Sequence, residues 1–328
     1  EALLDDGRGW SNADRDGFYN ELSTEELLRR LGSWAPTVRE RAAMALGRRQ
    51  QDVSGDVVAL LNSPDIHQRY GAAQALKHQR GRGGPAVPAL TEAFRADDLW
   101  LRILAGEALA DIGEPAKPAI PALLERFNVR DPLGDPRGME QRYLAQALFA
   151  KRGGLLGRSL EGVDREALLN AVRIGLQNED GRARGAFSSV YQNLTFEELK
   201  PLLPAILEAI QTPAPSGIMF ADQIQTEGLR LLAEHHVEEG IELLADYART
   251  MKQHGSQKRI VTVMNLLKRY GAHARRVTDE LEATAVYFET EERNFPKKLS
   301  REKARIVREA INEIEASTQE PVLVSLGK

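Results

Sequence analysis

The sequence predicts an all-α protein, a right-handed α–α superhelix built from tandem helix pairs. Two observations carry that prediction. An arginine recurs at Arg39, Arg69, Arg102 and Arg142, spaced 30, 33 and 40 residues apart, each followed by the same pattern of small and large apolar residues. A pair of prolines three residues apart opens three further segments, Pro85–Pro88, Pro118–Pro121 and Pro201–Pro204. A fixed period in this range marks a repeat array, in which each unit buries its apolar face only against its neighbours.

Composition agrees. The chain has 328 residues, long for a single globular core, so two domains or a repeat array are expected. Hydrophobic residues make up 42% and charged residues 28%, ordinary for a folded chain, while aromatics are only 6%. Few aromatics and abundant alanine and leucine favour close-packed helices over strands.

The arginine marks the second helix of each unit. Three residues on stand Ala42, Ala72, Ala105 and Ala145; six on, Ala45, Ala75, Ala108 and Leu148; seven on, Leu46, Leu76, Leu109 and Phe149. Offsets of three and seven share a helical face, so these residues form the buried stripe. The prolines mark the first helix. Proline inside a helix costs about 3 kcal/mol, but the first turn has N–H groups without partners, so both prolines are expected there. Short turns bearing aspartate, Ser63–Asp65 and Ala96–Asp98, separate the two helices of a pair.

These features together resemble the HEAT repeat family, including its phycobilisome-lyase-like branch, and the armadillo-like solenoids more broadly. The resemblance is clean over residues 24–150 and weaker to about 270. It implies a protein-binding or scaffolding role, although members with catalytic activity exist.

Further pairs are predicted at 164–178 with 181–193, 198–211 with 219–234, and 238–253 with 256–270, giving about seven pairs. Helices near 275–292 and 300–317 cap the array, the last with a strongly charged outer face. The expected organisation is therefore residues 1–22 as an extension packing on the first repeat through Trp10 and Phe18, residues 23–317 as the solenoid, and residues 318–328 as an extended or disordered tail. Ser23 or Thr24 is the expected cap of the first solenoid helix. Val129–Gly138 accounts for the long gap. With the glycine-rich run 151–158, it is an insertion read as a spacer or as a functional loop.

Several chemistries are disfavoured. The formal net charge of −4 gives no global attraction to phosphate backbones. Cysteine is absent, which removes disulfides, thiolate nucleophiles and cysteine–zinc sites. No apolar run reaches the ~18–20 residues of a membrane span. His235 and His236 are adjacent, so on a helix they point apart and do not converge on one ion. None of the histidines is followed by glutamate, the dyad of the iron-binding HEAT hydroxylases. No Gly-x-Ser-x-Gly elbow or phosphate loop is present, and Arg80–Gly84 reads as a turn. No catalytic residue, metal or cofactor is expected. The first residue is Glu1 rather than methionine, which fits a processed form or a fragment; the sequence does not fix a compartment.

The aligned arginines are expected to bond turn aspartates such as Asp65 and Asp98 and carbonyls of the next unit, in preference to forming a phosphate- or peptide-binding ladder. The candidate binding surface is the far side of the second helices, the concave side in HEAT arrays. Offsets −2, +1 and +5 from the arginine give Thr37, Glu40 and Met44; His67, Tyr70 and Gln74; Trp100, Ile103 and Glu107; Glu140, Tyr143 and Ala147. Exposed aromatics among polar residues mark interaction sites, so His67, Tyr70, Gln74, Trp100, Ile103, Glu107, Glu140 and Tyr143 are the candidates for holding a protein or peptide partner. The alternative places these rings against neighbouring helices or against residues 1–22. A spacer role within a larger protein and a HEAT-like nucleic-acid binder stay open beside the binding module. The nucleic-acid reading is disfavoured because the stripe carries Glu40, Glu107 and Glu140. A lyase or chaperone acting on a chromophore-bearing protein is the remaining alternative.

Overall fold

The computed structural model describes residues 12–51, 53–150, 153–157, 159–212, 214–215, 221–251, 253 and 255–326. Trp10, Lys151, Arg152, Arg158 and His254 lie outside these. The chain divides into two compact units, residues 1–193 and 194–328. Each is a stack of helix pairs, and the described residues contain no strand, only one isolated β-bridge.

In the first unit, helix α1 (Asn12–Glu21) precedes the pairs α2 (Thr24–Arg30) with α3 (Pro36–Arg48), α4 (Ser54–Leu61) with α5 (Ile66–Gln79), α6 (Val87–Ala93) with α7 (Leu99–Ile112), α8 (Ile120–Phe127) with α9 (Met139–Phe149), and α10 (Arg165–Leu176) with α11 (Gly181–Phe187). Helix starts carry the expected caps. The Ser23 hydroxyl accepts from the Glu26 amide, and the carboxylates of Asp65, Asp98, Asp164 and Asp180 cap α5, α7, α10 and α11. The proline pairs divide their work. Pro85 and Pro118 lie in 3₁₀ turns at 80–86 and 114–119, while Pro88 and Pro121 stand in the first turn of the α-helix that follows. Both prolines keep φ near −65°, which the tight turn and the helix start share, so neither breaks an intrahelical bond.

The second helices stack on one another through the alanine stripe. Ala42, Ala45, Ala72, Ala75, Ala105, Ala108 and Ala145 are all buried. The approach is close enough that a Cβ on Gly47 of α3 would stand 2.6 Å from the His78 Cβ of α5. Helix α1 packs against α3: Tyr19 is buried, Arg30 lies over its ring at 5.3 Å and Arg41 at 5.9 Å.

The aligned arginines bond differently from expectation. Arg39 donates to the carbonyls of Ser33 and Trp34, Arg69 to Leu61, Arg102 to Ala96 and Asp97, and Arg184, at the equivalent place in α11, to Asn178, while Arg142 lies 3.7 Å from the turn aspartate Asp180 of the following pair. These carbonyls belong to the arginine's own helix pair, at its turn or at the end of its first helix, and not to the next unit. The arginine stands four residues after the N-cap, so its side chain runs back over the preceding turn and reaches carbonyls that the ended helix leaves unpaired.

The second unit holds α12 (Phe196–Leu199), α13 (Leu203–Gln211) and α14 (Ala221–Glu234), then α15 (Gly240–Thr250) with α16 (Ser256–Lys268), and α17 (Thr278–Thr290) with α18 (Lys297–Ala316). Thr195 and Glu198 form a capping box at α12. The core residue between α16, α17 and α18 is charged. Lys303 is fully buried, donates to the Glu292 carboxylate and to the Ser256 hydroxyl, and lies 4.1 Å from the Phe288 ring centroid and 4.4 Å from that of Phe295. Burial lowers the affinity of its amine for a proton, and Glu292 partly offsets this. After α18, residues 318–326 run extended along the turns of this unit.

Candidate functional site on the second helices of the first unit

Helices α5, α7 and α9 set the geometry. Each is flanked on both sides by the next second helix and behind by its own first helix, so each hides a wide arc. In α7 the buried positions are 101–103, 105, 106, 108, 109 and 112, which leaves a narrow stripe through Trp100, Leu104, Glu107 and Asp111.

Two of the candidate residues are therefore not on the surface. Ile103 is 2% exposed, because the offset of +1 falls inside the buried arc of α7. Leu104, half-buried, takes the outward place. Glu140 is 4% exposed and holds a buried ion cluster instead of facing solvent. Its carboxylate accepts from Arg102 Nε at 2.7 Å and Nη2 at 3.1 Å, and from Arg126 Nε and Nη2 at 2.9 Å each. Burial pushes the carboxyl up, but the bonds from Arg126 and Arg102 outweigh it and hold the group below the usual carboxylate range. The long loop makes this arrangement. Asp135 accepts from the amides of Met139 and Glu140 at 2.8 and 2.7 Å, and Gly138 adopts φ +61, so the loop fixes the first turn of α9, which carries Glu140.

The remaining candidates reach the surface in part. Trp100 is 48% exposed, and its ring meets that of Tyr143 edge-on at 6.5 Å. Tyr143 is half-buried. Tyr70 is also half-buried. Its hydroxyl donates to Asp98 at 2.9 Å, Arg39 lies over its ring at 5.5 Å, and His67 packs against its edge at 6.2 Å. Burial and the Asp98 carboxylate push the Tyr70 phenol up to about 12, so it stays a donor. Gln74 is half-buried.

That polar end links successive repeats. The Glu40 carboxylate meets His78 at 2.8 Å, and Lys77 meets Glu107 at 3.1 Å. The bond to His78 lowers the Glu40 carboxyl despite its burial. The cations of this face are thus matched by carboxylates, with Arg142 3.7 Å from Asp180. No basic groove forms among these residues. An open cavity of about 180 Å³ beside Leu61, Arg69 and Glu92 is smaller than the ~300–1,000 Å³ of typical small-molecule sites.

Sequence reasoning missed Trp34, which is 58% exposed in the turn ahead of α3. The signal was its setting: a tryptophan in Gly-Ser-Trp-Ala-Pro, a turn where no helical stripe can bury it. The histidine pair is placed apart as argued. His235 stacks on Phe196 at 4.3 Å, while His236 takes φ +49 beside Tyr270. Among the described residues no three acidic or histidine side chains converge as metal ligands, and no helix is long and apolar enough to cross a membrane.

Comparison with known proteins fits this geometry. Residues 24–110 match the family model for HEAT repeats. No curated protein matches the sequence. Among solved structures, YibA of E. coli is similar at 13% identity with a TM-score of 0.57, covering 94% of this chain and 99% of that one. Kap95p, whose binding induces the switch loops of RanGDP to adopt the GTP-bound conformation, is similar at 13% identity and a TM-score of 0.57. It covers 92% of this chain, which spans 43% of Kap95p. Identities this low show a shared solenoid fold and nothing finer.

Proposed function

We propose, from the premise that residues 24–110 of this chain are HEAT repeats, that the protein is a non-catalytic solenoid that holds a protein or peptide partner on the second helices of its first unit. The observation that carries this reading is Trp100. Among the described helices of the first unit, whose other large apolar side chains are buried or half-buried, α7 presents a tryptophan 48% exposed, with Tyr143 of the next repeat edge-on to it. Half-exposed aromatic pairs flanked by polar residues are the usual anchors of protein interfaces, because a ring buries much area at little entropic cost. Glu107 shares the outward stripe of α7 with Trp100, and the half-buried His67 and Gln74 stand at the corresponding positions of α5. Kap95p, a solenoid of the same fold, binds RanGDP, which supports a protein partner as the class.

The test is affinity capture from the source organism with the wild type and with Trp100→Ala/Tyr143→Ala, both first shown to melt alike. Tyr70 is left intact because its hydroxyl bonds Asp98. A partner held by the wild type and lost by the variant supports the reading. Retention of every partner by the variant removes this face from consideration.

A further inference from the structure

The second unit carries a main-chain binding edge that is filled by the chain's own extended segment 318–326. The edge has two parts. The first is the turn between α14 and α15. His236 there adopts φ +49, a left-handed conformation uncommon outside glycine, which turns its carbonyl outward. That carbonyl accepts from the Val324 amide at 3.0 Å, and the Glu238 amide returns a bond to the Val324 carbonyl at 2.9 Å. Val237 and Val324 thereby pair as a parallel β-bridge. The Glu239 carboxylate accepts from the Leu326 amide at 3.2 Å. The second part is the turn after α16. The Ala272 amide donates to the Gln319 carbonyl at 2.8 Å, and His273 Nε2 meets the Pro321 carbonyl at 3.0 Å. Gly271, at φ +57, is notched for this passage: a Cβ there would stand 2.1 Å from the Gln319 oxygen.

The segment behaves as a ligand strand. Pro321, Leu323, Val324 and Leu326 are half-buried against the turns, while Val322, 89% exposed, and Ser325 face outward. Its fastening is mostly main chain to main chain, the mode by which a sheet edge accepts an added strand and which asks little of the ligand's sequence beyond alternating apolar positions. It is joined to the helical body only through Ser317 and Thr318, and its root borders an open cavity of about 470 Å³ lined by Lys268, Glu313, Ile314 and Gln319. No helix of the unit depends on it for an intrahelical bond.

We propose that residues 236–239 with 271–273 form a peptide-binding edge for extended segments, and that the segment seated there exchanges with the same segment of a second copy of this chain. The second copy is the occupant chosen because its sequence is the one shown to fit the edge. The seated segment competes from within the molecule at an effective concentration on the order of millimolar, so it excludes a free copy until it is loosened.

The probe is a fluorescent synthetic peptide of residues 317–328, titrated by anisotropy against the full chain. Val324→Pro in the protein removes the amide that bonds His236 and lies outside every helix, so melting is expected to stay unchanged. Leu323→Glu loosens the segment independently through its half-buried side chain. Both variants are expected to bind the peptide at least about tenfold more tightly than the wild type does, and a peptide carrying the Val324→Pro change is expected to bind neither. Amide exchange at Glu238 should quicken in the variants and slow again when peptide is added. Failure of both natively melting variants to bind, equal binding by wild type and variants, or equal binding of the two peptides would overturn the proposal.

Discussion

Arg102 and Arg259 occupy the same place in their helices, four residues past the N-cap, yet they hold different things. In the first unit Arg102 closes its own helix pair through two turn carbonyls and reaches Glu140 of the next repeat with its other nitrogens. In the second unit Arg259 turns to Asp222 of the preceding second helix at 2.6 Å. At the following position of that kind stands Ser300, and the fastening passes to Lys303, three residues on. The first unit repeats one device at α3, α5, α7 and α11; the second fastens α16 and α18 in two other ways. That is why the sequence period is plain before residue 150 and fades after it.

Four sets of substitutions test how each unit is fastened. The largest effect is expected at Lys303→Met, which leaves the Glu292 carboxylate buried without its cation. A loss of about 4 kcal/mol in chemical unfolding is expected, most of it restored by adding Glu292→Gln. A small loss, or no recovery in the double variant, means that the ring sandwich and not the charge pair holds α18.

Next comes Glu140→Ala, at about 3 kcal/mol, because Arg102 loses its buried carboxylate. The same group sets an acid limit. Its folded carboxyl lies below the unfolded value of ~4.3, so its stabilisation is complete above that pH and is lost as pH falls through the folded value. The wild type should therefore lose stability more steeply than Glu140→Ala below about pH 4. Parallel acid titrations of the two would contradict this.

Third, Arg102→Lys is expected to cost about 2 kcal/mol, since one ammonium cannot serve two turn carbonyls and a carboxylate in a fixed fork, whereas Arg259→Lys should cost about 1 kcal/mol or less. Equal costs in thermal melts would erase the distinction between the two units. The smallest change is Trp100→Ala, expected within about 0.5 kcal/mol of wild type, because half of the ring already faces water. A large destabilisation there would show that the ring serves the stack and would withdraw it as a binding anchor.

The helix pairs could be read from the sequence because their signals are local. The alanine stripe, the aspartate caps and the proline pairs each depend on neighbours within one or two turns. Ile103 and Glu140 were misplaced for a reason that no local pattern contains. The width of the buried arc on α7 is set by helices α5 and α9, and the depth of Glu140 by the Asp135 loop; both depend on residues more than a turn away. The arginines bond within the stack as expected, but the carbonyls they hold lie in their own helix pair, and only Arg102, through Glu140, and Arg142, near Asp180, reach the next one. Spacing gave the position of each guanidinium and not which carbonyls the preceding turn leaves open. The strand-like seating of residues 318–326 had no signal at all, since main-chain pairing with the turn at His236 requires a left-handed backbone there that a histidine does not announce.

Lys303 also makes the molecule its own reporter. An amine reagent in water meets the exposed lysines at once, but it reaches this one only when α18 lifts from α16 and α17. Its acylation rate, followed by mass spectrometry beside that of Lys298, therefore counts the openings of one helix in an otherwise folded protein, a local event that a melting curve averages away.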